Sequence, residues 1–141
     1  MPNKTKVLLL CIHNSCRSQM AEGFMRSLRG DEFEPYSAGS EPTIVHPLAV
    51  TVMGEVGIEI SNQRSKRVED LGQSDFGYIV TLCGEEEGIC PFAPGSGERM
   101  YVPFPDPAAA SGSPEEVLNE FRRVRDMIKE FVLSFPQVPH S

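Results

Sequence analysis

The most constraining feature of the sequence is a cysteine-led polar segment that directly follows an apolar run near the N-terminus. Residues 7–10 are all valine or leucine, and an amphipathic helical pattern begins near Gln19. A continuous apolar run is typical of a strand that is buried on both faces of a parallel sheet. The order therefore predicts a strand, a loop and a helix. The loop, called the anion loop below, reads Cys11-Ile12-His13-Asn14-Ser15-Cys16-Arg17-Ser18.

The anion loop has the chemistry of an oxyanion site with its own nucleophile. Main-chain N–H groups and the dipole at a helix N-terminus attract negative charge and favour the thiolate form of a cysteine. Cys11 is therefore the candidate nucleophile. The planar guanidinium of Arg17 can hold two oxygens of a phosphate-like group. The Ser18 hydroxyl can bond the Cys11 sulfur or cap the helix, and Asn14 is expected to brace the loop in a left-handed conformation.

Apolar strand patterns alternate with helical patterns along the rest of the chain. Pro47 opens a helix that ends at Gly57, and Ser113 begins a capping box at the start of a last helix, which ends before Pro136. A short helix is also expected over residues 65–71. The predicted strands cover residues 6–10, 34–37, 76–82 and 99–104.

This alternation predicts an α/β fold with a four-stranded parallel sheet flanked by helices, and we expect the strand order 2-1-3-4. Ligands of such sheets bind at the carboxyl ends of the strands, beside strand one. Cys11 follows strand one, Cys83 follows strand three and Asp106 follows strand four, so we expect the three side chains to converge. Asp106 lies between Pro105 and Pro107, a position that suits a general acid and equally suits a turn aspartate.

The spacing of Cys83 and Cys90 permits a disulfide. Six residues separate them, in a stretch that has no clear secondary-structure pattern, so the loop can fold back and bring the two thiols together. Two other interpretations stay open, namely buried structural cysteines and a zinc site. We expect no metal site, because Arg17 beside a zinc ion would be unfavourable and the cysteine spacings are loose for zinc.

The sequence also resembles a known family over nearly its whole length. The Cys-x5-Arg-Ser loop resembles the signature of the low-molecular-weight protein tyrosine phosphatases, and CIHNSCRSQMAEGF resembles their relatives, the thioredoxin-coupled arsenate reductases. The resemblance implies a low-molecular-weight phosphatase-like fold, with residues 1–141 as a single domain. The other matching segments are Tyr36-Ser37-Ala38-Gly39, Ile60-Ser61-Asn62, Val80-Thr81-Leu82-Cys83 and Phe121-Arg122-Arg123-Val124-Arg125-Asp126.

The resemblance implies that arsenate is reduced to arsenite through a relay of three thiols. Cys11 would attack arsenate while Arg17 and the loop amides hold the oxyanion and Asp106 acts as the acid. Cys83 would then attack the adduct on Cys11, and arsenite would leave. Cys90 would resolve the Cys11–Cys83 disulfide, leaving a Cys83–Cys90 disulfide for thioredoxin to reduce. No tightly bound cofactor is expected.

Two alternative functions stay open. One is a tyrosine phosphatase whose extra cysteines protect Cys11 by reversible oxidation, with aryl phosphate hydrolysis as its reaction. Residues 108–110 are all alanine where phosphatases often carry a tyrosine, so no aromatic clamp for phosphotyrosine is evident. The other is a non-catalytic oxyanion-binding redox sensor, which would have no use for Asp106 as an acid. The resemblance makes Cys16 a small loop residue facing the helix, with a secondary redox role beside Cys11 as the alternative.

A further expectation concerns potassium. Some proteins of the family that the chain resembles hold this ion beside the loop, through residues that match Asn14, Glu22 and Ser37. The later stretch is Arg64-Ser65-Lys66, where those proteins have threonine and aspartate around the same serine. We expect the Lys66 ammonium to replace the ion with a built-in charge.

Composition restricts the partners and the location. The chain has 141 residues and a net charge of -7, without a basic run, which argues against nucleic acid or an anionic membrane surface as a partner. The apolar run at residues 7–12 is interrupted by His13 and lacks a cleavage site, so it predicts a buried strand and not a signal peptide. The four cysteines are then expected in a reducing compartment, and we expect a cytoplasmic monomer.

Overall fold

A four-stranded parallel sheet in the order β2-β1-β3-β4 forms the centre of the structure. It is seen in a computed structural model that describes residues 4–72, 75–84 and 90–137. The parallel sheet and its order confirm the two expectations from the sequence. The strands are β1 (Thr5–Leu10), β2 (Phe33–Ala38), β3 (Tyr78–Thr81) and β4 (Glu98–Tyr101).

Three helices pack against one face of this sheet. Their apolar sides meet Val7 and Leu9 of β1 in the larger hydrophobic core. The opposite face, which carries Leu8 and Leu10, packs against Phe76 in a smaller core. Burial on both faces explains why β1 is apolar throughout its second half. The helices are α1 (Arg17–Arg29), α2 (Pro47–Glu55) and α3 (Pro114–Ser134), and short 3-10 turns cover Val68–Asp70 and Pro107–Ala109.

The predicted elements have the right type but differ in length. The helix expected over residues 65–71 is only a single 3-10 turn. The strand predicted over residues 99–104 is observed as β4 and ends at Tyr101. Pairing nevertheless continues on alternate residues, with the N–H of Val102 bonded to Thr81 at 2.9 Å and that of Phe104 to Leu82 at 3.0 Å. This continued pairing brings the segment before Asp106 to the end of β3.

A buried arginine joins α3 to α2. Arg125 is 8% exposed, and its guanidinium donates to the carbonyl oxygen of Val52 at 3.0 Å and to the Glu55 carboxylate at 2.9 Å.

The first turn of α3 has the predicted capping box between Ser113 and Glu116. Within the described ranges, every helix is too short or too polar to cross a lipid bilayer.

The chain after β2 passes very close to the anion loop at Gly39. A Cβ atom at this position would lie 2.7 Å from the carbonyl oxygen of Cys11 and would also collide with that of Ile12. The N–H of Gly39 donates to Lys66 at 2.9 Å, and that of Glu41 donates to Ile12 at 2.8 Å. A glycine is therefore required here because the obstructing atoms belong to the backbone and cannot rotate away.

We expect Gly39→Ala to destabilise the protein by about 1–3 kcal/mol, as overpacking does in other cores. Gly54→Ala is the matched control, because Gly54 lies in α2 with no atom within 4 Å of the added Cβ. This control should stabilise the helix by roughly 0.5–1 kcal/mol. The measurement is the free energy of unfolding in urea. Equal effects of the two substitutions would show that the contact with the anion loop is not tight.

Candidate active site

Cys11 lies at the carboxyl end of β1, with its sulfur beside the start of α1. The residue is 2% exposed, and its Sγ lies 3.0 Å from the hydroxyl oxygen of Ser18. The Ser18 oxygen accepts a hydrogen bond from Asn14 Nδ2 at 2.8 Å, so its own proton is free to point at the sulfur. Ser18 is therefore placed as a hydrogen-bond donor to Cys11, an arrangement that stabilises a thiolate.

Asn14 braces the anion loop from within. Its φ of 49° is left-handed, the conformation expected from the sequence. The side chain is fully buried, donates to Ser18 and accepts from the main-chain N–H of Lys66 at 2.9 Å. A segment distant in sequence thus fixes the amide that orients Ser18.

The main-chain N–H groups of residues 12–16 are placed to bind an anion. Within the described part of the chain, none of them donates a hydrogen bond to another protein group. The loop runs directly into α1, which begins at Arg17 and adds its dipole to these donors. Uncommitted N–H groups at a helix N-terminus are the arrangement that proteins use to bind phosphate-like anions.

Arg17 and Asp106 close the other side of the same pocket. Arg17 is 3% exposed, and its Nη1 donates to the carbonyl oxygen of Phe104 at 3.0 Å, while Nη2 lies 3.8 Å from Asp106 Oδ2. The side chain of Asp106 is 26% exposed, and its Oδ1 accepts a hydrogen bond from the main-chain N–H of Ala108 at 3.0 Å. The pocket has a volume of about 20 Å³ and is lined by Cys11, His13, Ser15, Cys16, Arg17, Asp106 and Ala108.

Cys83 is brought to the same edge of the sheet. It is fully buried in a small cluster with Cys11 and Ile12, and Cys90 packs against this cluster. Cys83 and Cys90 form a disulfide, with their Cα atoms 6.3 Å apart, whereas Cys11 and Cys16 are free thiols. The acidic run at residues 85–87 lies outside the described residues.

Cys16 differs from Cys11 in its electrostatic environment. Burial raises the pKa of the Cys16 thiol to about 12, and the hydrogen bond from Ser15 only partly opposes this rise. The thiol therefore stays protonated at neutral pH, which makes it a poor nucleophile. This environment favours the small structural role over the redox role for Cys16.

Gln19 is a site residue that sequence reasoning missed. It is fully buried, and its Nε2 donates to the carbonyl oxygens of Asn14 at 3.0 Å and Arg64 at 2.8 Å. The side chain of Gln63 in turn donates to Gln19 Oε1 at 2.8 Å. The only signal in the sequence was a polar residue at the first turn of a helix, where most polar residues are exposed.

His46 also lies against the anion loop, although the sequence placed it in no functional group. The main-chain N–H of His46 donates to the carbonyl oxygen of Ser15 at 3.0 Å. The centres of the His46 and Phe121 rings lie 4.9 Å apart. Nδ1 accepts from the N–H of Leu48 at 3.1 Å and so caps α2. Burial lowers the pKa of His46, and the negative charge of Asp106 only partly offsets this effect. His13, by contrast, is exposed.

A charged cluster lies beneath the anion loop. The Lys66 ammonium is 3.8 Å from Glu22 Oε1 and 3.5 Å from Ser37 Oγ, and it donates to the carbonyl oxygen of Arg64 at 2.9 Å. Ser37 donates to Glu22, which also pairs with Arg26. Burial lowers the pKa of Lys66, while Glu22 opposes this shift. The side-chain oxygens of Asn14, Glu22 and Ser37 are each engaged by protein groups, and the Lys66 ammonium lies beside two of these residues.

Comparisons with known proteins agree with this geometry. Residues 6–137 match the family model described as low molecular weight phosphotyrosine protein phosphatase. An arsenate reductase of Halalkalibacterium halodurans is 44% identical over 135 residues, which cover 96% of this chain and 97% of that protein. An arsenate reductase of Bacillus subtilis is 46% identical over 135 residues, with coverages of 93% and 96%.

Solved structures show the same similarity. An arsenate reductase in the phosphate binding state superposes with a TM-score of 0.73 at 35% identity, covering 92% of this chain and 94% of that one. Wzb of Vibrio vulnificus in complex with benzylphosphonate superposes with a TM-score of 0.72 at 18% identity, covering 94% and 97%, and shows the shared fold alone.

We expect His46→Asn to reduce the loss of stability on acidification. The folded pKa of His46 is lowered, so its contribution is present above the usual histidine pKa of about 6.5 and is lost as the pH falls through the folded value. Asparagine can still cap α2 but does not titrate in this range. The measurement is the melting temperature between about pH 8 and about pH 5.5. A variant with the same pH dependence as the wild type would show that another group controls it.

We expect the stability of the wild type to be the same in potassium and sodium chloride, because Lys66 supplies the positive charge beside Glu22. Lys66→Met should lower the melting temperature, since Glu22 keeps only Arg26 as a cationic partner. Lys4→Met, at an exposed position, is the control and should change little. The measurement is the melting temperature at equal concentrations of potassium chloride and sodium chloride. Potassium-specific stabilisation of the wild type would overturn this assignment.

Proposed function

The chain belongs to the low molecular weight phosphotyrosine protein phosphatase family, and within this family we propose that it is an arsenate reductase of the thioredoxin-coupled type. The observation that carries the proposal is the disulfide between Cys83 and Cys90, packed against the free thiol Cys11 at the mouth of an oxyanion pocket. Hydrolysis of a phosphate ester would need Cys11 but not the other two cysteines. The names of the relatives and their identity over nearly the whole chain support the same assignment.

In the first step, the Cys11 thiolate attacks the arsenic atom of arsenate. A sulfur–arsenic bond forms, and one oxygen leaves as water after Asp106 donates a proton to it. Arg17 and the N–H groups of residues 12–16 hold the remaining oxygens, on which the negative charge concentrates. The hydrogen bond from Ser18 favours the attacking thiolate. An acid, a nucleophile and an anion cradle around one pocket support this step.

In the second step, the Cys83 thiolate attacks the sulfur of Cys11. The sulfur–arsenic bond breaks and its electron pair stays on arsenic, which leaves as arsenite, while Cys11 and Cys83 become a disulfide. Cys90 then attacks Cys83 and releases Cys11 as a thiolate. The Cys83–Cys90 disulfide with free Cys11 is the product of these steps, so the described geometry corresponds to the end of the relay.

An external dithiol must then restore the two thiols, and we assign this role to thioredoxin. Cys83 is fully buried whereas Cys90 is partly exposed, so the incoming thiolate would attack Cys90 and expel Cys83. The partner supplies two electrons and ends as a disulfide itself. The proposal includes residues 1–141 working as one domain in the cytoplasm. It also includes a monomer, because all three relay cysteines are on one chain.

A weak phosphatase activity is expected beside the reductase activity. Cys11, Arg17 and Asp106 suffice for hydrolysis of an aryl phosphate, which passes through a phosphorylated cysteine. Among the described residues that line the pocket there is no phenylalanine, tyrosine or tryptophan to stack on a phosphotyrosine ring. This lining supports a small inorganic oxyanion, more than a phosphotyrosine, as the substrate.

We expect Cys11→Ser to abolish both activities, since both begin with the Cys11 thiolate. Cys83→Ser and Cys90→Ser should abolish repeated turnover of arsenate but leave aryl phosphate hydrolysis within about twofold of the wild type. The measurement is arsenate-dependent consumption of NADPH with thioredoxin and thioredoxin reductase, beside hydrolysis of an aryl phosphate by the same preparation. Hydrolysis serves as the folding control for Cys83→Ser and Cys90→Ser, and the melting temperature serves as the folding control for Cys11→Ser. Repeated turnover by Cys90→Ser would show that the relay is wrong. Hydrolysis without arsenate-dependent consumption would make the protein a phosphatase.

A further inference from the structure

An exposed phenylalanine lies two residues after the reactive disulfide. Phe92 is 72% exposed, more than any other large apolar side chain in the described ranges. It borders an open groove of about 630 Å³ on the sheet face opposite the three helices. The groove, called the Phe92 groove below, is lined by Val68, Glu69, Gly72, Phe76, Phe92, Ala93 and Pro94.

The Phe92 groove has a fixed floor. Phe76 is 7% exposed and Ala93 is 1% exposed, and both pack in the smaller core against Leu8 and Ile79 of the sheet. A rigid apolar floor loses little entropy when a partner covers it, whereas a mobile one would have to be ordered first.

Phe92 itself is held in its exposed position by Arg99. The Arg99 guanidinium lies 4.5 Å from the centre of the Phe92 ring. Its Nη2 also donates to the carbonyl oxygens of Ala93 at 2.7 Å and Gly95 at 3.1 Å. The Phe92 ring thus lies at the surface because Arg99 holds it there. Most of this apolar ring stays in contact with water, which is unfavourable in free energy.

The position of the disulfide explains what would cover this surface. Since Cys83 is fully buried, a reductant must reach the sulfur of Cys90, and Phe92 is separated from Cys90 only by Pro91. A small dithiol can reach that sulfur without touching much else. A folded protein that brings a thiol to the same atom must place its own surface over the adjoining residues.

We propose that the Phe92 groove is the docking surface for the protein dithiol that reduces the Cys83–Cys90 disulfide, with Phe92 as its main apolar contact. This inference rests on the proposed function. The partner's thiolate forms a mixed disulfide with Cys90, and Cys83 leaves as a thiolate. The partner's second thiolate then attacks the mixed disulfide and releases Cys90, so that two electrons pass to this chain and the partner is oxidised. The partner is recognised by an apolar surface around its reactive thiol.

The test compares two reductants acting on protein that carries the Cys83–Cys90 disulfide. For Phe92→Ala, we expect the second-order rate constant of reduction by thioredoxin to fall at least tenfold, because the apolar contact that aligns the two proteins is removed. Reduction by dithiothreitol should stay within about twofold of the wild type, since a small molecule needs no docking surface. The rates follow from quenching with an alkylating reagent and counting free thiols.

Two further variants act as controls. Phe92→Leu keeps an apolar side chain and should retain most of the rate with thioredoxin. Leu133→Ala removes another exposed apolar side chain, 49% exposed, from α3 on the opposite face of the sheet, and should change neither rate.

Several outcomes would overturn the inference. Equal rates of reduction of Phe92→Ala and wild type by thioredoxin would show that the groove takes no part in docking. Slower reduction of Phe92→Ala by both thioredoxin and dithiothreitol would show that Phe92 only supports the disulfide segment. Concentration-dependent dimerisation lost in Phe92→Ala, with unchanged rates, would assign the groove to a second copy of the chain. Release of arsenite in a single turnover of the reduced wild type, without any reductant, tests the proposed function separately from docking.

Discussion

The anion loop contains main-chain N–H groups that other described protein groups do not use, and keeping them uncommitted is the constraint on which the surrounding structure depends. Buried N–H groups normally find partners inside the protein, so a loop that withholds them needs support from outside. Gln19, Ser65 and Lys66 provide this support through hydrogen bonds to the loop's backbone or side chains. Gly39 provides it by leaving room for the loop's carbonyl oxygens.

The same support links the loop to distant parts of the chain. Lys66 contributes its N–H to Asn14 and its ammonium to the cluster around Glu22, so one residue serves both the nucleophile's hydrogen-bond chain and the charge beneath the loop. His46 ties the start of α2 to Ser15. The shape of the anion loop therefore depends on segments that are distant from it in sequence.

The cysteines of the site differ in how far they are exposed to solvent. Cys11 and Cys83 are buried beside one another, where transfer between them is shielded from solvent, whereas Cys90 is partly exposed and can meet a partner. Cys16 is buried too, but its raised pKa keeps it protonated. The four cysteines thus differ in chemistry because they differ in exposure, in bonding and in their neighbours.

The sequence by itself determined the order of the elements and the nature of the loop. Apolar periodicity, glycine and proline positions and the spacing of Cys11 and Arg17 are local properties, so the strands, the helices and the parallel sheet could be predicted from them. The order of the strands was also implied by the family resemblance. Only the tertiary structure decided which polar side chains are buried around the loop, as with Gln19, Arg125 and His46. Their partners are distant in sequence, and hydrogen bonds between distant segments leave no periodic signal in the chain.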